Sequence, residues 1–470
     1  MRLSKLLKGI ECSEYRDCEV YGLSSNSKTV NGCIFFTLDG TRTTGEKYAK
    51  EAVEGGAVAI ISQRPLNVKN NVVVKDVNRC MWIIAMRYWD NPLGKIKLIG
   101  ITGTNGKTTT SHLIAEIMNF AEKNTGIIGT LGAKWNGKTI PIENTTPGFL
   151  EFVEIISNMQ KDGVEYVVCE VSAHAIRQRR LMDVKFAIGV FTNLTQDHLD
   201  YFSDMDDYRK AKISFFESGH CAYNVVNADT TEGRYLSGIS EDNTITYGLN
   251  SPADVFGIDL SFKETKTSFI ANVLDEIYEI ESNLLGEFNV YNLLASITVC
   301  SMLGVKGEKL KAGVKQIRPI KGRFNVYKGK KTAIIDYAHT PDGLKNLLKS
   351  SRKLTCGNLI CVFGCGGERD KTKRSIMGKI AEEYADVVVL TEDNSRSECT
   401  LDIIKDIASE MISEPKVIPD RRQAIEYALH VAGSDDVVVI AGKGGEEYIE
   451  RSKRTHYSDE EEVKRILSVT

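Results

Sequence analysis

The chain has 470 residues, with 60 Lys+Arg against 63 Asp+Glu and a net charge of -3. No long run of one sign occurs, so the footprint of a nucleic-acid-binding protein is missing. Such a length exceeds what one hydrophobic core supports and sets an expectation of about three domains with clefts between them. The N-terminus "MRLSKLLKGIECSEYRD" carries no apolar signal region. No window approaches the ~18 to 20 apolar residues of a membrane span, so a soluble, intracellular protein is expected. The 11 cysteines are scattered and odd in number. They lack the paired spacing of a zinc site and read as mostly buried thiols in a reducing compartment.

In chain order, the β-branched runs "GAVAIIS", "IKLIGITG", "VEYVVCEVS", "KFAIGVFTN", "TAIIDYA", "NLICVFG", "ADVVVLTE" and "DDVVVIAGKG" alternate with helical stretches. Alternation of this kind predicts α/β domains with parallel sheets, whose ligands gather beyond the carboxyl ends of the strands. Turn chemistry in "MRYWDNPLGK" and a break in "IRPIKGRFNVYKGKKTA" divide the chain into units 1–90, 91–322 and 323–470. No fixed-period repeat and no low-complexity tract is present.

"LIGITGTNGKTTTSHLIAEIM" reads as strand, glycine loop and helix. Gly103 and Gly106 permit the tight turn, backbone amides and the helix N-terminus face phosphates, Lys107 offers a point charge, and Thr108 can ligate magnesium. The loop departs from GxxxxGK[ST], because Ile101 stands where the first glycine belongs. A phosphate loop identifies a nucleotide site and leaves the reaction open. Glu170 ends the strand in "VVCEVSAHAIRQRR", and Asn193, Asp197 and His198 follow another in "FTNLTQDHLDYF". A carboxylate and an imidazole so placed are candidate magnesium ligands; singly, each reads as well as a capping aspartate or a satisfied histidine.

The ordered set "GTNGKTTT", "NTTP", "EVSAHAIRQRR", "TNLTQDHLDYF", "YRKAK", "LLGEFNVYNLLAS", "GRF", "IDYAHTPDGL", "VFGCGGERDKTKR", "DNSR", "DRRQAI" and "GKGGEE" resembles the Mur ligases over nearly the whole chain. Within them it is most similar to the MurE type, the UDP-MurNAc-tripeptide synthetases, which add the third peptide residue to UDP-N-acetylmuramoyl-L-alanyl-D-glutamate. The resemblance implies three α/β domains: a UDP-substrate-binding unit, a central P-loop ATPase unit and a C-terminal, Rossmann-like, amino-acid-binding unit. It implies an ATP-dependent amide ligation through an acyl phosphate, with Mg2+, in a bacterial cytoplasm. Small-molecule substrates are the implied partners, with no nucleic acid and no membrane span; the sequence does not set the oligomeric state.

By the same resemblance Lys107, Glu170, His198 and a carbamylated Lys212 are the catalytic set, and Thr108, Glu170, His198 and the Lys212 carbamate hold the metal. ATP is assigned Gly103, Thr104, Asn105, Gly106, Lys107, Thr108, Thr109, Asn289, Asn292, Arg323, Asp336 and His339. The UDP-muramoyl dipeptide is assigned Ser27, Thr41, Arg42 and Thr43, with Lys28 nearby, and Asn144, Thr145, Thr146, Ser172, Gln178 and Arg180. Domain closure on ATP would shield the acyl phosphate from water.

The incoming amino acid is assigned Arg369, Asp393, Asn394, Ser395, Arg396, Gly442 and Glu446. Asn394 is expected at its amine end. Arg396 is expected to clamp the distal carboxylate that meso-2,6-diaminopimelate has and lysine lacks. Otherwise Arg396 is a loop residue paired with Asp393 or Glu398. Ser395 replaces the family's proline and Gly445 its histidine, so L-lysine or another amino acid stays open. So do a folylpolyglutamate synthetase or another peptidoglycan ligase, and a nucleotide-sensing protein on the same scaffold. An ATPase motor or kinase shares only the phosphate loop.

Overall fold

All eight apolar runs form strands in the computed structural model, which describes residues 1–39 and 44–467. The first sheet is parallel, in the order Gly22–Ser24, Cys33–Phe36, Ala59–Ser62, Asn71–Val73. Helix Val77–Tyr88 follows it, capped by Asp76, whose side chain accepts from the Arg79 amide. Val77, Cys80, Met81, Ile84 and Ala85 recur at helical spacing and turn one apolar face inward. That core runs on into the next unit without a break, and the Trp82 ring stacks on Phe149 at 4.9 Å.

The second sheet has 11 strands. At its centre Lys97–Thr102 lies between Phe186–Phe191 and Tyr166–Glu170, all parallel, so the chain leaves all three strands at one edge. Helix Lys107–Phe120 packs against helix Glu287–Met302, which is buried along most of its circumference. A meander of three strands, Val255–Phe262, Thr267–Val273 and Glu276–Ser282, closes one side antiparallel. There Phe269, Ala271 and Val273 alternate inward with half-exposed neighbours, the mark of a sheet wet on one face. The purely parallel pattern expected from the sequence thus covers the centre and not the edges.

The third sheet has six strands, in the order Asn325–Lys328, Thr332–Asp336, Val437–Ala441, Leu359–Phe363, Val387–Leu390, Lys416–Val417. Only the first is antiparallel to its neighbour. No helix among the described residues is long and apolar enough to cross a membrane. All the cysteines are free; Cys80, Cys169, Cys300, Cys361 and Cys365 are buried, four are half-buried, and Cys356 and Cys399 are exposed. The expectation of mostly buried thiols therefore holds for fewer than half.

Candidate active site

Strand Lys97–Thr102 delivers the chain to Gly103, whose φ is 146°, and the loop ends at Gly106, whose φ is 87°. A Cβ at Gly103 would sit 1.9 Å from Thr192 Oγ1, and one at Gly106 2.5 Å from Asn292 Oδ1, so both conformation and space demand glycine. The helix starts at Lys107 and leaves its first amides facing the loop. Neighbouring residues fix the loop's shape: Asn105 N donates to Asn193 Oδ1 at 2.9 Å, and Thr192 Oγ1 donates to Asn105 O at 2.7 Å. Thr104 Oγ1 donates to Thr195 O at 3.1 Å, and Thr109 is buried in the first helical turn.

Glu170 is fully buried at its strand end. Its Oε2 accepts from Thr108 Oγ1 and Thr130 Oγ1, each at 3.0 Å, and its Oε1 accepts from Thr130 N at 2.9 Å. Three donors therefore fix the carboxylate. Lys107 Nζ donates to Gly103 O at 2.9 Å and Lys212 Nζ to the same oxygen at 2.8 Å. Two lysines thus converge on one carbonyl. Burial, then the nearby Lys107 charge, drives the Lys212 amine well below the usual lysine range.

His198 sits at φ 59° and lies edge-on to His174 at 4.7 Å. Burial pulls its pKa down to about 3, although the Asp197 charge opposes this. The imidazole is therefore neutral near neutral pH, the form that ligates metals. Asp197 is buried and faces three groups: Lys373 Nζ at 3.2 Å, His198 Nε2 at 3.4 Å and His339 Nε2 at 3.6 Å. Lys373 and His339 come from the third unit, so Asp197 is a seam between two domains.

Arg323 and Asn105 cross the same seam, while Asp336, Asn289 and Asn292 bond within their own units. Arg323 Nη2 donates to Thr108 Oγ1 at 3.3 Å, and its guanidinium lies 4.2 Å from the centre of the Tyr337 ring. Asp336 accepts from Phe324 N and Ala338 N, both at 2.7 Å, while burial raises its pKa. Asn105 Nδ2 donates to Asp342 Oδ2 at 3.2 Å. Asn292 accepts from Thr110 Oγ1 at 3.3 Å and donates to Asn289 Oδ1 at 3.0 Å, placing Asn289 behind it.

A cavity of about 1190 Å³ opens between the second and third units. Thr104 through Thr109, Glu170, His198, Lys212, Asn292, Arg323, Asp336 and His339 line it together with Asn144, Thr145, Ser172, Arg180 and Arg369. Thr146 stands behind this wall, its Oγ1 donating to Glu170 O at 2.8 Å, whereas Gln178 is exposed and outside the lining, its Oε1 accepting from Arg180 Nε at 2.9 Å. Ser27 is half-exposed on the loop after the first strand of the first sheet and does not line the cavity. Thr41, Arg42 and Thr43 lie outside the described residues.

The remaining amino-acid set forms its own cluster at the carboxyl edge of the third sheet. Lys443, fully buried, donates to Asn394 Oδ1 and to Glu446 Oε2, each at 3.0 Å, and lies 3.7 Å from Asp393 Oδ1. Glu450 N also donates to Asn394 Oδ1 at 2.8 Å, while Asn394 Nδ2 donates to Glu446 Oε2 at 2.9 Å. Both lone pairs of the Asn394 oxygen are thereby used, and the side chain has only N–H left to offer. This runs against the expectation that Asn394 takes the amine end.

Arg396, at φ 52°, pairs with neither Asp393 nor Glu398. Its Nη1 donates to Gly367 O at 2.6 Å and its Nε lies 3.5 Å from Glu450 Oε2. Glu398 is instead held by the buried Arg374 at 3.0 Å. Ser395 is buried in this loop. A Cβ at Gly442, φ 112°, would meet Asp393 Oδ2 at 2.6 Å. Gly445 packs on the linker, for a Cβ at Gly322 would fall 1.8 Å from Gly445 N.

Thr130, Lys373 and Lys443 were not anticipated. Thr130 sits in the turn after a strand that pairs beside Glu170, and Lys373 lies four residues after Arg369 in a charged stretch that hides it. Lys443 stands inside the quoted "GKGGEE".

Known proteins resemble this chain in sequence and in fold. The family models of the Mur ligase middle domain and of the Mur ligase, glutamate ligase domain match residues 101–300 and 322–444. The UDP-N-acetylmuramoyl-L-alanyl-D-glutamate--2,6-diaminopimelate ligase of Alkaliphilus oremlandii is 37% identical over 98% of both chains. Its namesake in Gloeobacter violaceus is 40% identical over 100% of this chain and 98% of its own. A solved structure of a ligase of that name is 32% identical and superposes with a TM-score of 0.67, covering 96% of this chain and 95% of that one. MurF from Acinetobacter baumannii, 17% identical at a TM-score of 0.69 over 99% and 98% of the two chains, shares the fold. On identity sustained along nearly its full length, the chain belongs to the Mur ligase family.

Proposed function

We propose that this chain is an ATP-dependent, ADP-forming ligase that joins meso-2,6-diaminopimelate to UDP-N-acetylmuramoyl-L-alanyl-D-glutamate in peptidoglycan precursor synthesis. The observation that carries this reading is end-to-end identity with ligases of that name, 37% over 98% of the chain in one case. The cavity supports it by bringing a phosphate loop and the Asn144–Arg180 region into one space. The proposed division of labour follows units 1–90, 91–322 and 323–470, in a bacterial cytoplasm.

A carboxylate and a triphosphate repel each other, so the reaction needs positive charge between them and close positioning. Lys107 and the first helical amides bind the phosphates, and Arg323, already at Thr108, approaches from the other domain. The donor set fits a divalent cation: the Thr108 hydroxyl touches the Glu170 carboxylate at 3.0 Å, and His198 is neutral. Thr108, Glu170 and His198 would hold the ion, and among the described residues no three His, Cys, Asp or Glu side chains gather into a cluster of their own. Bound there, Mg2+ supplies charge neutralisation at the transferring phosphoryl group.

Lys212 fits carbamylation: its buried ammonium gives up one proton readily, and the neutral amine forms an N–C bond to CO2 with loss of a second, leaving an anion in place of a cation. Arg180 and Ser172 orient the muramoyl peptide, with Thr146 fixing both from behind. Asn394 and Arg396 present N–H groups to the distal carboxylate of diaminopimelate, and Glu446 faces an amine. Arg396 keeps Gly367 O and Glu450 Oε2 as partners in either case, so lysine is disfavoured by the contact it cannot make.

The test is phosphate release with ATP and the UDP-muramoyl dipeptide, comparing meso-diaminopimelate and L-lysine in parallel. Turnover that depends on diaminopimelate is expected. Turnover without amino-acid dependence, or preference for lysine, would overturn the substrate assignment.

A further inference from the structure

The motif "DRRQAI" takes no part in the chemistry above, yet its first arginine is one of the most deeply buried side chains in the protein. Arg421 opens helix Arg421–Val431, which is capped by Asp420. Its Nε and Nη2 donate to the two carboxylate oxygens of Asp459, each at 2.8 Å, and both side chains are fully buried. The rest of the fork reaches two backbone carbonyls: Nη2 donates to Ala441 O at 2.9 Å and Nη1 to Glu392 O at 3.2 Å.

Those carbonyls belong to strand ends that do not touch. Strands Val387–Leu390 and Val437–Ala441 are separated in the sheet by Leu359–Phe363. The residues that follow them are Asp393 and Gly442, the roots of the two loops assigned to the amino acid. The loops meet at close range: Lys443 bridges Asn394 and Glu446 at 3.0 Å, and a Cβ at Gly442 would lie 2.6 Å from Asp393 Oδ2. A small change in their separation therefore breaks the donor pattern that leaves Asn394 with only N–H to offer.

We propose that Arg421, anchored by Asp459, is a positioning residue of the amino-acid pocket, setting the spacing of loops 393–396 and 442–446 through the Glu392 and Ala441 carbonyls. The inference rests on the assignment of those loops to the incoming amino acid. A planar fork is needed, because one end must grip a carboxylate in two places while the other reaches two carbonyls; an ammonium cannot span that geometry.

The experiment measures KM for diaminopimelate, ATP and the UDP-muramoyl dipeptide, kcat, and melting temperature in the full-length enzyme. The variants are R421K, D459N and, as a control, K331A. Lys331 also donates to two backbone carbonyls, those of Leu429 and His430, but just ahead of strand Thr332–Asp336, at the opposite edge of the sheet. For R421K the expected result is a rise of about tenfold or more in KM for diaminopimelate, with the other two KM values within about twofold. D459N should change in the same direction by less, since Arg421 keeps its carbonyl contacts. K331A should lower the melting temperature without altering the ratio of KM values.

If R421K and D459N only lose thermal stability, as K331A does, or raise all three KM values together, Arg421 is structural and the proposal falls. Wild-type enzyme that turns over without amino-acid dependence would overturn the pocket assignment and this inference with it. Should R421K fail to fold, D459N decides.

Discussion

Replacing Lys373 with methionine removes one half of the ion pair that joins the central and C-terminal units. Lys373 Nζ lies 3.2 Å from Asp197 Oδ1, and both side chains are less than a tenth exposed. Asp197 keeps His198 at 3.4 Å and His339 at 3.6 Å as its remaining partners. Its carboxyl is held well below the usual range, since burial, which raises it, is outweighed by His339 and the Lys373 charge. Stranding a buried carboxylate costs about 3 to 5 kcal/mol. Because the pair bridges units, the cost falls on their docking more than on the folding of either one.

If turnover requires the docked state, kcat/KM should fall about 100-fold or more, as about 1.4 kcal/mol corresponds to tenfold. The phosphate-release assay reads this directly, and a double-mutant cycle isolates the pair. Asp197→Asn combined with Lys373→Met leaves no uncompensated charge, so the double variant should recover much of the loss. Strictly additive effects, or a Lys373→Met enzyme at wild-type kcat/KM, would refute the argument.

Arg396→Ala should weaken use of diaminopimelate by about 10- to 100-fold and leave KM for ATP within about twofold, read by parallel titrations; equal loss on both would deny it a role in reading the amino acid. Lys212→Ala should lose activity and regain part of it with added bicarbonate or a small carboxylate; full activity without the lysine would exclude a carbamate. Glu398 bonds Arg374, and chiefly through that contact its pKa is lowered from 4.5 to about 2. A depressed carboxyl contributes stability above its unfolded pKa and loses it as pH falls through the folded one. The stability gap between wild type and Glu398→Gln in urea should therefore be full at about pH 7 and mostly gone by about pH 2.5. An unchanged gap would refute it.

Residues whose partners lie close in sequence, or whose role is backbone conformation, were readable without a structure. The phosphate loop is one such case: strand, glycines and helix are adjacent, and each glycine is needed for its own φ. Arg396 is the opposite case. Its sequence neighbours Asp393 and Glu398 were the natural partners, yet Arg374 takes Glu398 and Glu450 approaches Arg396, because a tight loop points successive side chains apart. Lys373, Lys443 and Arg421 were hidden for a related reason. Each is a cation in a charged or polar stretch, and only the fold places it under a carboxylate or carbonyl that is distant in sequence. The antiparallel meander went unread because its alternating pattern was masked by the stronger continuous runs of the parallel centre.

The core that passes from the first sheet into the second, with Trp82 lying on Phe149, has a bearing on how a nucleotide sugar would be measured. A hinge needs a seam where few apolar contacts cross, and none is found there. The seam at Asp197 is more mixed: ion pairs and single hydrogen bonds line the cavity, and Leu285 and Phe288 pack on the third unit's core behind them. On the proposed assignment of the uridine end to the first unit, the first two units act as a ruler of fixed length that ends at the phosphate loop. A precursor with one residue too few or too many in its peptide would hold its terminal carboxylate off the mark, and the selection would be made by distance before any side chain was read.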